Sequence, residues 1–79
     1  MVVTMKISDL QDKTIININN GKELGKISDL EIDNNGVIIN YYALSKKGIF
    51  NIFNSNEEII FKTKDIKKIG EDVILVQID

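Results

Sequence analysis

From Gly21 to Leu44 the chain reads GKELGKISDLEIDNNGVIINYYAL, two extended runs separated by a cluster of turn-forming residues. In the first run Leu30 and Ile32 fall on one face while Asp29, Glu31 and Asp33 fall on the other, the period-two alternation of a strand with one side buried. Asp33-Asn34-Asn35-Gly36 supplies the reversal, because Asn and Gly tolerate the backbone angles of a tight turn. In the second run Val37, Ile39, Tyr41 and Ala43 share one face and Ile38, Tyr42 and Leu44 the other, interrupted only by Asn40. Such a strand is expected to be covered on both sides.

The same pattern extends in both directions. Met5 to Leu10 could open the chain as a short strand, followed by capping or turn chemistry at Ser8 to Asp12. Thr14 to Ile18 is a second β-branched run, closed by the hairpin signal Asn19-Asn20-Gly21-Lys22. Gly25, inside the strand predicted over Leu24 to Ile32, marks a bulge or sharp bend. Beyond Leu44, Ser45-Lys46-Lys47-Gly48 leads into Ile49-Phe50-Asn51-Ile52-Phe53, whose large residues suit one helical turn better than a half-buried strand. Asn54-Ser55-Asn56 fences it off. Glu57 to Lys62 resumes a strand, Thr63 to Ile66 reads as a single helical or 3-10 turn, and Gly70-Glu71-Asp72 turns the chain into a last strand over Val73 to Ile78. The prediction is an all-β domain spanning residues 1–79, with Leu30, Ile32, Val37, Ile39, Ile59, Phe61, Ile69, Val73 and Leu75 in its core. The turns at Asn20-Gly21, Asn35-Gly36 and Gly70 should each join antiparallel neighbours, because they leave no length for a parallel crossover.

Composition narrows what such a domain can do. A chain of 79 residues has room for one core, and domains of this size bury only about 60% of the surface exposed by the unfolded chain. With no cysteine, disulfides cannot supplement that core, so self-association is the remaining route to extra stability. Sixteen isoleucines favour strands, and nine asparagines, mostly clustered, favour turns. All ten basic residues are lysines and the net charge is −2, which implies no large electrostatic field. The first ten residues lack the pattern of a secretory signal, and no apolar run reaches the ~18 residues of a membrane span. The expectation is a soluble, cytoplasmic protein.

Candidate chemistry is sparse. Without histidine or cysteine, Ser-His and Cys-His nucleophilic catalysis are ruled out by inventory. Asp29, Glu31 and Asp33 could in principle serve as acids and bases or as a calcium loop. The calcium pattern fails, with glycine at Gly36 and Asn40 where a bidentate Glu belongs, and an exposed polar strand face explains the carboxylates better. Gly21-Lys22-Glu23-Leu24-Gly25-Lys26 misses the spacing of a phosphate loop. Lys62, Lys64, Lys67 and Lys68 form a basic neighbourhood, but arginine is absent, Glu71 and Asp72 lie nearby, and few aromatics are interleaved, so nucleic acid is disfavoured as a partner. No catalytic, cofactor or metal site is predicted. The Ile49 to Phe53 cluster could fold back as core or face outward; if outward, contact with protein is favoured over a peripheral membrane surface assisted by Lys46 and Lys47. Because strands apolar on both faces must leave some apolar surface outside a single core, the expected contact is a homodimer or higher oligomer through Phe50 and Phe53, with Ile49, Ile52, Tyr41 and Tyr42 contributing.

Four segments carry a resemblance to a known family: the opening ISDL, DK and II, then G-x-x-L-G-x-I-x-D-L-x-I-D from Gly21, the GIF and IF insert, and D-I-x-K-I-G-x-D-V-I-L-V from Asp65. Over nearly its whole length the chain resembles the PRC-barrel domain, most of all the short single-domain YlmC/YmxH-like group. The resemblance implies a small six-stranded antiparallel β-barrel with one short helical turn before the last hairpin, around Lys64 to Ile66. Members often carry a proline before that turn, where Thr63 stands here. It further implies a non-enzymatic interaction or assembly module: such domains serve as adaptors, with settings in sporulation and cell division. An alternative is ribosome assembly or RNA processing of the RimM type. The shared positions are structural glycines and core residues, so no binding residue is carried over.

Overall fold

The computed structural model describes residues 4–46 and 56–79. Element order is α1 (Ile7–Gln11), β1 (Thr14–Asn17), β2 (Lys22–Ile32), β3 (Ile38–Lys46), β4 (Asn56–Phe61), a 3-10 turn (Thr63–Asp65), β5 (Ile66–Ile69) and β6 (Val73–Val76). The short strand anticipated over Met5 to Leu10 is replaced by α1. Its start is fixed by Asp9, whose carboxylate accepts the Lys6 N–H at 3.1 Å, a capping contact that a strand could not make. The 3-10 turn uses the same Lys-x-x-Asp device, with Asp65 accepting the Lys62 N–H at 2.9 Å.

The strands form one sheet in the order β4-β3-β2-β1-β6-β5. All three glycine-bearing turns join antiparallel neighbours, as expected: β1 with β2, β2 with β3, and β5 with β6. The sheet as a whole is nevertheless mixed, because β1 and β6 pair in parallel. The reason lies in the 3-10 turn, which carries the chain from β4 to β5 without reversing it, so that β6 returns alongside β1 in the same direction. Nor does the sheet close into the expected barrel among the described residues, since β4 and β5 remain its two edges. It is strongly curled all the same. A flat six-stranded sheet would hold its edges about 24 Å apart, whereas the five chain steps from Phe61 to Ile66 reach at most about 17 Å.

Among the described residues, Ile15, Leu24, Ile27, Tyr41, Ala43, Phe61, Ile74 and Val76 are the buried hydrophobic residues. Of the residues predicted for the core, Phe61 is fully buried, and Leu30, Ile59 and Ile69 pack half-buried against the buried cluster. Ile32, Val37 and Ile39 instead lie 59%, 58% and 40% exposed near the β2–β3 turn. Ile32 is the last residue of β2 and Val37 precedes β3, so both sit at the turn end of the hairpin, where no described residue covers them; elsewhere bulges shift the pattern. Leu24 is the extra residue between the Ile15–Gly25 and Ile16–Glu23 pairs, and Ser28 between Ile27–Ala43 and Asp29–Tyr42. The inward residues of β2 therefore fall at 24, 27 and 30, every third position, and simple alternation loses the phase. A third irregularity makes Ile39 the extra residue between Asn40 and Ile38, which turns it outward. In β6, Ile74 and Val76 point inward and Val73 and Leu75 are half-buried on the opposite side. A strand apolar on both faces gives no sequence cue to choose between them.

Gly25 is where β2 leaves its pairing with β1 and continues beside β3. Its φ is +95°, and a Cβ there would collide with the carbonyl group of Leu44 and the Cα of Ser45. The bend thus requires glycine for both conformation and space.

The parallel β1–β6 seam is fastened by buried polar side chains. Lys13 Nζ donates to the carbonyl of Gly70 at 2.8 Å and to that of Glu71, tying the start of β1 to the β5–β6 turn. At the other end, Asn17 Nδ2 donates to the Ile78 carbonyl at 2.9 Å while its Oδ1 accepts the N–H of Ile78 and of Asn19, both at 3.2 Å. Asn19 Nδ2 adds a second bond to the Ile78 carbonyl at 3.0 Å. Among the described residues no buried side-chain donor or acceptor is left without a partner.

Candidate functional site

Directly opposed residues on neighbouring strands carry their side chains to the same side, so the register of β2, β3 and β4 sorts residues into an inner and an outer face. The inner face holds Leu30, Tyr41 and Phe61 in one row and Ile27, Ala43 and Ile59 in the next. The outer face holds three rows: Glu31 and Asn40, with Lys62 following β4; then Asp29, Tyr42 and Ile60; then Lys26, Leu44 and Glu58.

The two tyrosines named by the sequence therefore separate. Tyr41 is 7% exposed, its ring stacked on Phe61 with centroids 5.1 Å apart, and its hydroxyl accepts the Thr63 hydroxyl at 3.2 Å. It is held in the core and cannot project outward. Tyr42 lies on the outer face, half-buried, beside Ile60, which is 53% exposed, and Leu44. Ile49, Phe50, Ile52 and Phe53, the other residues expected at a protein interface, lie outside the described residues.

A polar network crosses the top of this face. Glu31 Oε1 accepts from Asn40 Nδ2 at 2.7 Å and from the Tyr42 hydroxyl at 3.1 Å, while Lys62 Nζ donates to Asn40 Oδ1 at 3.1 Å. The hydrogen bond from Asn40, then that from Tyr42, together with the positive charge of Lys62, holds the Glu31 carboxyl below its ordinary pKa against a smaller opposing effect of desolvation. The same bond to Glu31 is the main cause that raises the Tyr42 phenol above its ordinary value. Ser28, displaced by its bulge, donates its hydroxyl to the Tyr42 carbonyl at 3.2 Å and so braces the strand behind the ring.

Asp29, Glu31 and Asp33 are all exposed, in keeping with a polar strand face, but they play three different parts. Glu31 accepts the network; Asp33 folds the turn, its Oδ1 accepting the N–H of Asn35 at 2.8 Å and of Val37 at 3.0 Å; Asp29 Oδ1 accepts the N–H of Leu30 at 2.8 Å. Among the described residues no three His, Cys, Asp or Glu side chains group as metal ligands. No helix among them is long and apolar enough to cross a membrane. Sequence reasoning missed the linkage of Glu31, Asn40 and Lys62. The available signal was Asn40, the sole polar residue in an otherwise apolar run, which needs a partner on whichever face it occupies.

Comparison with known proteins adds a family. The PRC-barrel domain matches residues 3–79. A probable sporulation protein, YlmC, of Bacillus subtilis is 39% identical over 75 residues, covering 94% of this chain and 93% of that protein. An uncharacterized protein of Clostridium acetobutylicum is 36% identical over 73 residues, covering 92% of this chain and 84% of its own length.

Proposed function

The chain belongs to the PRC-barrel family, and from that premise we propose that it is a non-catalytic protein–protein interaction module, one that self-associates and docks onto another protein in the cytoplasm. The observation that supports this reading is the outer face of β2, β3 and β4, where Tyr42 and Leu44 at the centre and Ile60 beside them on β4 form an apolar stretch with Glu31, Lys62, Lys26 and Glu58 at the corners of the face. An apolar centre with a polar rim is the layout of a protein contact. A rigid three-stranded platform, braced by the Glu31–Asn40–Tyr42 bonds, would present it without ordering cost. Sporulation is the cellular setting we favour, because of the likeness to the Bacillus protein, with cell division as the second.

Light scattering on the purified chain, from about 10 μM to about 1 mM, tests self-association, since contacts of modest size fall in the micromolar class. The expected mass rises with concentration above that of one 8.9 kDa chain. A constant mass of one chain across that range overturns the self-association part of the reading.

A further inference from the structure

The charges on the outer face are arranged on a diagonal. On the β2 flank Glu31 stands in the first row, Asp29 in the second and Lys26 in the third; on the β4 flank Lys62 stands in the first, Ile60 in the second and Glu58 in the third, with Asn40, Tyr42 and Leu44 between them on β3. Each end of the face therefore carries one acid and one lysine, and the two ends carry them in opposite order.

A second copy laid face to face by a two-fold axis running along β3 exchanges the flanks while keeping the rows. Glu31 then meets the Lys62 position of the other copy, Lys26 meets its Glu58, and both contacts occur twice. Asp29 meets Ile60 at the edge of the contact, while Tyr42 and Leu44 meet their own counterparts at the centre. An axis running across the strands also opposes acids with lysines, but it sets Asp29 on Asp29 and Asn40 on Leu44. Like charges and an unmatched amide disfavour that alternative.

The geometry points to a face-to-face pairing of two copies of this chain through β2, β3 and β4, with Lys26 of each copy opposite Glu58 of the other. This deepens the self-association reading and rests on it. The nine positions project to about 300 Å², three strands by three rows. That is well below the ~800 Å² per partner of a standard interface, so the pair is weak and reversible. Specificity then comes mainly from the charge pattern.

Lys26 and Glu58 give a decisive test, because they sit two strands apart, with backbones about 10 Å apart within one chain. In a pair of Lys26→Glu chains both outer contacts become acid against acid, and in a pair of Glu58→Lys chains both become lysine against lysine. A pair made of one chain of each kind restores both attractions. Sedimentation velocity is run on the full chain, on each variant, and on their equimolar mixture, with far-ultraviolet circular dichroism as the check on folding. Each variant alone should associate at least about tenfold more weakly than the original protein, and the mixture should recover to within about threefold. Raising salt from about 0.05 M to about 0.5 M should weaken association of the unaltered chain, a readout independent of any substitution. Association that is unchanged in the single variants, or not recovered in the mixture, overturns this face while leaving self-association standing. A monomer throughout overturns both.

Discussion

Among the described residues, two sets of one lysine and one asparagine do opposite things. In the β1–β6 seam Lys13 and Asn17 are buried and spend their hydrogen bonds on backbone carbonyls and N–H groups of the β5–β6 turn and the C-terminal segment. On the outer face of β2, β3 and β4, Lys62 and Asn40 bond only to side chains, each other and Glu31. Residue type alone does not decide the role. What decides it is whether the lysine or asparagine side chain is itself buried, with backbone groups as its partners, or lies where water can also solvate it.

Gly25 lies between these two regions, and substituting it should break the comparison altogether. Gly25→Ala places a side chain at a positive φ and against the Leu44 carbonyl group, and should cost at least about 3 kcal/mol. A chain of this size has a total stability of roughly 4–12 kcal/mol, so urea unfolding should show either a severely lowered midpoint or no cooperative transition. An alanine variant with an unaltered midpoint would mean that the bend does not join the two halves as described.

A matched pair of asparagine substitutions comes next. Asn17→Ala removes three bonds from a buried site and should cost about 2–3 kcal/mol, whereas Asn40→Ala should stay within about 0.5 kcal/mol. Equal losses in chemical denaturation would erase the distinction between seam and outer face. The lysines should repeat it on a smaller scale: Lys13→Met keeps the apolar stem but strands two carbonyls, for about 1–2 kcal/mol, and Lys62→Met should again fall within about 0.5 kcal/mol.

The smallest effect concerns pH. Because the bond to Glu31 raises the Tyr42 pKa in the folded chain, its contribution to stability is present below the ordinary tyrosine value of about 10 and is lost as pH rises through the folded value. For Glu31 the shift is downward, so its contribution is present above the ordinary carboxylate value of about 4.3 and is lost as pH falls through the folded value. In Glu31→Gln the Tyr42 ring resonances, followed by NMR, should titrate at lower pH than in the unaltered chain. An unmoved midpoint would show that the phenol is not governed by that bond.

Much of the architecture was legible in the residues. Asn-Gly and Asp-Asn-Asn-Gly located the turns correctly because their backbone demands are local, and Thr63 to Ile66 revealed the 3-10 turn for the same reason. The family was legible too, through structural positions such as Gly25 and the Asp65 to Val76 segment. Which face of each strand points inward was much less so. The bulge at Leu24 was signalled by the neighbouring Gly25, but those at Ser28 and Ile39 shift the phase through pairing with another strand, with no cue in the strand's own sequence. The parallel seam was invisible for a similar reason: it depends on a three-residue turn failing to reverse the chain. Of the residues picked for an interface, Tyr42 lies on the outer face and Tyr41 does not, because the register opposes Tyr41 to Leu30 and Phe61 on the inner side. Glu31, Asn40 and Lys62 each drew notice separately, yet only cross-strand register places them together.

The bond between Asn17 and Ile78 joins residues 61 apart, whereas Glu31 and Asn40 are only 9 apart. Closing the longer span costs about 1.7 kcal/mol more in chain entropy. The β2–β3 hairpin can therefore form as soon as its own residues are available, while β1 must wait without its parallel neighbour until β6 has been synthesised and turned. During that interval one edge of β1 remains an open template for other strands. The last step of folding, and not the stability of the finished sheet, is where this chain is most exposed to misassembly.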